Sequence, residues 1–162
     1  MIDKKRRTVL KATLASGVLA GVAGTGILAP TRLLAAWSQD AFMAEDLQEA
    51  IDILYGKPVD LAGANSDAIS FEDTQESPAD SRSVPISISS TVPNTESISI
   101  FVEGNPRPLV GQFRFESNAI PAVHVRSKMR KTSRVIAIMK DSAGKFYTKE
   151  MKISVTESGC AP

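Results

Sequence analysis

One thiol dominates the chemistry open to this sequence. Cys160 is the only cysteine and sits near the carboxyl end, in Thr156-Glu157-Ser158-Gly159-Cys160-Ala161-Pro162. Its small neighbours Ser158, Gly159 and Ala161 leave the sulfur uncovered, and Gly159 loosens the backbone. Chain ends are poorly ordered unless tied down. From Val155 to Cys160, five residues at roughly 3.4 Å each could carry the thiol about 17 Å from the body. Free cysteine more often ends up buried and inert, but a terminal place after glycine is ill suited to packing. As a thiolate the group is a nucleophile and can exchange at sulfur. No base accompanies it, and Glu157 disfavours the charged form. Activation is therefore expected from a partner's site, as for a swinging arm.

The remaining composition excludes most alternatives. A single cysteine rules out an internal disulfide and any cysteine-cluster metal site. A single histidine, His124, rules out a multi-histidine site. It is the only imidazole that could serve a Ser/His or Cys/His pair, and nothing local points to one. In a strand it reads as a half-buried surface residue. No metal, bound cofactor or catalytic constellation is expected. An odd cysteine in an exported protein points to intermolecular pairing or a reactive thiol.

Export is expected from the first 36 residues. Lys4, Lys5, Arg6, Arg7 and Lys11 make a positive start, a weakly apolar run broken by glycines follows from Ala12 to Ala29, and Ala35-Ala36 offers a small-residue cleavage site. Arg6-Arg7-Thr8-Val9-Leu10-Lys11 matches the twin-arginine pattern except at Val9, where Phe is common. The modest hydrophobicity fits that route better than a membrane anchor. Residues 1–36 are thus read as a twin-arginine signal peptide delivering a folded protein to the periplasm.

Removing that leader changes the charge balance. It holds six Lys/Arg and one Asp, which leaves 13 bases against 17 acids, a formal −4 in place of +1. Residues 37–80 carry 11 acids and only Lys57 as a base, whereas residues 81–162 carry 12 bases and six acids. The densest basic run is Arg126, Lys128, Arg130, Lys131 and Arg134. It reads first as a solvated strand edge and turn, and second as a surface for anions or an acidic partner. No aromatic stacking pattern accompanies it, which argues against nucleic acid.

The elements that must position the thiol follow from periodicity. Met43, Leu47, Ala50 or Ile51, and Leu54 recur at helical spacing, so Asp40–Tyr55 is expected as one helix, capped by Asp40 and stopped by Gly56 and Pro58. Its apolar stripe should pack on the domain or on a partner. Residues 57–80 read as an acidic loop. From Ser83 the period becomes two: Val84, Ile86, Ile88; then Ile98, Ile100, Val102; then Phe113, Phe115; then Val123, Val125. Pro85 assigns the first of these to an edge or a strand start. Val135–Met139 is fully apolar and expected to be central. After a turn at Asp141–Gly144, Tyr147, Met151, Ile153 and Val155 complete a last strand or pair. Six or seven short strands argue an all-β fold, an immunoglobulin-like antiparallel β-sandwich. The division is an N-terminal helix and connector over 37–82, the sandwich over 83–155 and an arm over 156–162.

These features together resemble the Y subunit of the SoxYZ sulfur carrier. The resemblance is carried by Val84-Pro85-Ile86-Ser87-Ile88-Ser89-Ser90, Asn105-Pro106-Arg107-Pro108-Leu109, Arg126-Ser127-Lys128-Met129 with Thr132-Ser133, Gly144-Lys145-Phe146-Tyr147, and the closing strand into Gly159-Cys160. It runs from about residue 40 to the end. That family usually ends Gly-Gly-Cys-Gly-Gly. Here one preceding glycine and the thiol are kept, while Ala161-Pro162 stiffens the tip.

The resemblance implies a substrate carrier acted on by enzymes. In that family a haem cytochrome joins thiosulfate to the tail thiol as an S-thiosulfonate, a hydrolase removes sulfate, and a sulfur dehydrogenase oxidises the sulfane sulfur that remains, which implies the same course at Cys160. It also implies a heterodimer with a SoxZ-like subunit. The alternative class is a β-sandwich binding module or redox sensor in which Cys160 forms an intermolecular disulfide.

Overall fold

The computed structural model describes residues 38–72 and 79–156. Two short helices come first, α1 (Gln39–Met43) and α2 (Leu47–Tyr55). The single helix expected over Asp40–Tyr55 is therefore broken. Ala44 is extended (φ −59°, ψ 137°), and Asp46 starts the second helix by accepting from the amides of Gln48 (2.8 Å) and Glu49 (3.0 Å). That satisfies two of the four amides a helix start leaves unpaired. Asp40 lies inside α1, and the residue capping it, Ser38, makes no side-chain cap bond. Gly56 ends α2 in the left-handed region at φ 69°, as expected.

Nine strands follow among the described residues: β1 (Ile69–Glu72), β2 (Ala79–Asp80), β3 (Val84–Ser90), β4 (Thr95–Val102), β5 (Leu109–Arg114), β6 (Ala122–Ser127), β7 (Ser133–Asp141), β8 (Phe146–Ile153) and β9 (Val155–Thr156). One antiparallel sheet has the order β1-β3-β6 and the other β5-β4-β7-β8, while β2 and β9 form a parallel pair. This is the immunoglobulin-like sandwich read from the alternation. Its seventh full strand, β1, comes from the acidic stretch expected to be loop. Pro85 is the second residue of β3, which is a central strand. The proline faces Arg126 of β6 and lies beyond the reach of β1, which covers only Ser87–Ser90.

The inner core lies between the sheets. Val84, Ile86 and Ile88 meet Ile98, Ile100, Val135, Ala137 and Met139, all buried. The other face of the four-stranded sheet presents Phe101, Ile136 and Ile138, and Ala41, Ala50 and Ile51 of the helices cover it. β7 is thus buried on both faces, which is why Val135–Met139 reads as an unbroken apolar run. The helical stripe is spent on the protein's own sheet. Only Met43, Ile53 and Ile120 remain as large exposed apolar side chains among the described residues. At the β8 edge, Tyr55 packs edge-to-face on Phe146 at 4.8 Å. Burial raises the Tyr55 phenol well above its ordinary value, opposed by the nearby Ser99 hydroxyl.

Candidate functional site

Thr156 is the last described residue before the stretch expected to be the arm. Its root is held by three kinds of contact. β9 pairs with β2 in the register Ala79↔Val155 and Asp80↔Thr156. The Thr132 hydroxyl accepts from the Val155 amide at 3.0 Å and donates to the Val155 carbonyl at 3.5 Å. The Thr156 hydroxyl donates to the Ala79 carbonyl at 3.2 Å. Fixing the last two described residues on both sides gives whatever follows a defined point of departure.

Around that root, three loops meet at one end of the sandwich. The Asn105 side chain joins two of them: its amide donates to the Lys128 carbonyl (2.8 Å) and its oxygen accepts from the Arg130 amide (2.9 Å). The Met129 amide donates to the Ser81 carbonyl at 2.9 Å, which ties in the loop after β2. Gly104 permits the approach, because a Cβ there would stand 2.7 Å from Ser133 Cβ. Two of the stretches singled out in the sequence, Asn105–Leu109 and Arg126–Met129 with Thr132-Ser133, are therefore brought together at the arm's root. Gly144–Tyr147 is not: it turns the chain at the far end of β7, roughly 27 Å away at about 3.4 Å per residue.

Asn105 is the part of this end most open to a stability test. Asn105→Ala leaves the Lys128 carbonyl and the Arg130 amide without their partner. The loss expected is about 1–3 kcal/mol, from two backbone bonds made by one side chain. A denaturant midpoint lowered without a change in slope would show it, and an unchanged midpoint would remove Asn105 from this role.

The basic run divides by environment. Arg134 lies between two carboxylates, 2.6 Å from Glu103 and 2.9 Å from Glu150. Its hydrogen bond to Glu103 holds that carboxyl below its usual range and raises the guanidinium in turn. Arg126 donates to the Ser83 hydroxyl at 3.3 Å. Lys128 and Arg130 are exposed and make no ion pair with the described residues. With Arg82 and Arg107 they line an open groove of about 720 Å³ beside the arm's root, where Glu45 is the acid. Sequence reasoning missed this groove, because Arg82 and Arg107 lie far from the basic run along the chain.

It also missed a serine–histidine contact. Ser87 and His124 face each other across β3 and β6, with Oγ 2.6 Å from Nδ1. Glu72 pairs with Ser87 from the other side. The serine stands between the acid and the histidine, and among the described residues no carboxylate is hydrogen-bonded to the imidazole as a triad requires. Among the described residues, no set of three His, Cys, Asp or Glu could hold a metal ion, and no helix is long and apolar enough to cross a membrane.

The residues expected to carry the chemistry, Cys160 with Ser158 and Gly159, lie outside the described residues, as does the Arg6-Arg7 signal motif.

An immunoglobulin-like sandwich in a chain with one cysteine, Cys160, four residues beyond the last described strand residue suggests a class, and comparison with known proteins agrees on which. The family model for the sulfur oxidation protein SoxY matches residues 62–160. The chain belongs to the SoxY family. Among solved structures it is similar to the sulfur carrier protein SoxY from Chlorobium limicola f. thiosulfatophilum, at 29% identity over 74% of this chain and 100% of that one, with a TM-score of 0.59. A superoxide reductase (neelaredoxin) from Ignicoccus hospitalis is similar at 21% identity over 55% of this chain and 80% of that one, with a TM-score of 0.47, too distant to bear on function. No curated protein sequence matches.

Proposed function

We propose that this chain is a sulfur-carrier subunit of thiosulfate oxidation, and that the Cys160 thiol holds the sulfur covalently. One observation supports this reading: the SoxY family match spans residues 62–160, a range that includes Cys160, the only cysteine. The tightly held root at Val155-Thr156 supports it, since an arm works from a fixed anchor.

The thiolate and thiosulfate join through a new S–S bond with loss of two electrons, which a haem cytochrome takes up. The product is an S-thiosulfonate on Cys160. Water then cleaves the terminal S–S bond, sulfate and two protons leave, and a persulfide anion remains on the cysteine. A sulfur dehydrogenase oxidises that sulfur. This chain contributes the nucleophile and its reach, and the catalysis belongs to the enzymes that receive the arm. The acceptance of the Ala161-Pro162 tip is part of the proposal. So are periplasmic delivery by the twin-arginine route and a one-to-one heterodimer with a SoxZ-like subunit.

The test uses thiosulfate labelled in its sulfane sulfur, mixed with the protein and its cytochrome partner. Label bound to the chain and released by a small thiol supports carriage. Label that never becomes covalently attached contradicts it.

A further inference from the structure

The groove at the arm's root has a composition that the fold does not require. Arg82, Arg107, Lys128 and Arg130 line it against one acid, Glu45. Stabilising ion pairs would place carboxylates opposite these bases, as Glu103 and Glu150 stand opposite Arg134. Arg82 does have such a partner in Asp80, at 2.9 Å. Arg107, Lys128 and Arg130 have none among the described residues, and like charges gathered on converging loops repel one another. Asn105 holds two of those loops together, through the Lys128 carbonyl and the Arg130 amide. The repulsion is thus maintained by construction. A volume of about 720 Å³ lies within the range of small-ligand sites, roughly 300–1,000 Å³.

The position of the groove matters as much as its charge. β9 runs parallel to β2, and Thr156 pairs with Asp80, the residue before Ser81 and Arg82 of the groove wall. Paired strands lie about 4.8 Å apart and successive Cα atoms about 3.8 Å, so Thr156 is within about 9 Å of that wall. Cys160 is four residues further on, a reach of about 14 Å at roughly 3.4 Å per residue. A group on its sulfur can therefore enter the groove.

We infer that the groove formed by Arg82, Arg107, Lys128 and Arg130 is a binding site for a sulfonate- or sulfate-type oxyanion, and that the terminal sulfonate of an adduct on Cys160 is its occupant. Guanidinium forks match such oxygens two at a time. The occupant rests on the carrier reading above, whereas the site itself does not. Seating the adduct there would keep the anion close to the body between visits to enzymes.

The experiment follows backbone amide resonances of the full chain. Sodium sulfate is titrated at constant ionic strength, with chloride as the balancing salt. Saturable shifts at Arg82, Arg107, Lys128 and Arg130 are expected. The double variant Arg107→Ala, Arg130→Ala should weaken binding at least tenfold, while Lys145→Ala, remote from the groove, should leave it unchanged. In a second arm the protein is treated with tetrathionate. The Cys160 thiolate attacks one inner sulfur, an S–S bond forms, and thiosulfate leaves, so that an S-thiosulfonate remains. Shifts at the same amides, absent from Cys160→Ser treated alike, would show the tail-borne group as the occupant. Sulfate binding with no response to the adduct upholds the site but assigns it to a free oxyanion and overturns the tail-borne occupant. Shifts that never saturate, or binding unchanged in the double variant, overturn the site. That failure would leave the carrier reading standing, because label transfer to Cys160 tests it separately.

Discussion

Cys160→Ser is expected to abolish sulfur carriage completely while leaving the folded body intact. A serine oxygen cannot form the S–S bond on which every later step depends, so the loss should be total and not a change of rate. The two cores are assembled from residues between Ala41 and Val155, and stability should change by no more than about 0.5 kcal/mol. Thiosulfate-dependent electron flow to the cytochrome, measured with the complete set of partner enzymes, should fall to the level without carrier. Unfolding curves of the two proteins should coincide. Turnover that survives in Cys160→Ser would favour a binding module in which the thiol is dispensable. A second substitution separates chemistry from access: placing Gly-Gly after Cys160 should raise turnover if the Ala161-Pro162 ending limits entry into partner sites.

The second large effect concerns delivery. Changing Arg6 and Arg7 together to Lys keeps the charge of the leader but removes the paired guanidinium groups of the twin-arginine pattern. Precursor is expected to accumulate in the cytoplasm, with mature protein nearly absent outside it, as read by fractionation and immunoblotting. Cleavage is expected near Ala36. Unchanged export of the double variant would remove the twin-arginine assignment without touching the reading of Cys160.

Much of the sandwich was legible because its strands are either strictly alternating or wholly apolar. Val84, Ile86 and Ile88 alternate because β3 has one buried face and one outer face with His124 opposite Ser87. Val135–Met139 does not alternate because helices cover the second face of β7. What escaped has equally specific causes. Met43, Leu47, Ile51 and Leu54 keep a helical period straight across the break at Ala44–Asp46, so the pattern does not register the break. Asp46-Leu47-Gln48-Glu49, an N-cap residue with Glu three positions later, was the signal that could have found it. β1 holds only Ile69 and Phe71 in an acidic stretch, and two apolar residues do not make a period. The parallel pairing of β2 with β9 is two residues long and joins positions more than 70 apart. Nothing local encodes it, although it fixes Val155 and Thr156.

The candidate site shows the same division. The thiol stood out from the sequence because it is unique and terminal. The ground it starts from did not, because Thr132, Asn105 and Ser81 meet only through loops that the fold brings together. The groove lies further still from a linear reading. Arg130 sits in the dense basic run, but Arg82 and Arg107 come from two other loops.

The most direct test of the central claim is the intact mass of this protein purified, without reductant, from cells growing on thiosulfate. The account predicts a series of species heavier than the mature chain by sulfane sulfur and sulfonate increments, all localised to the peptide containing Cys160 and all removed by a small thiol. Only free thiol and disulfide-linked dimer, with no sulfur adduct under any growth condition, would contradict it.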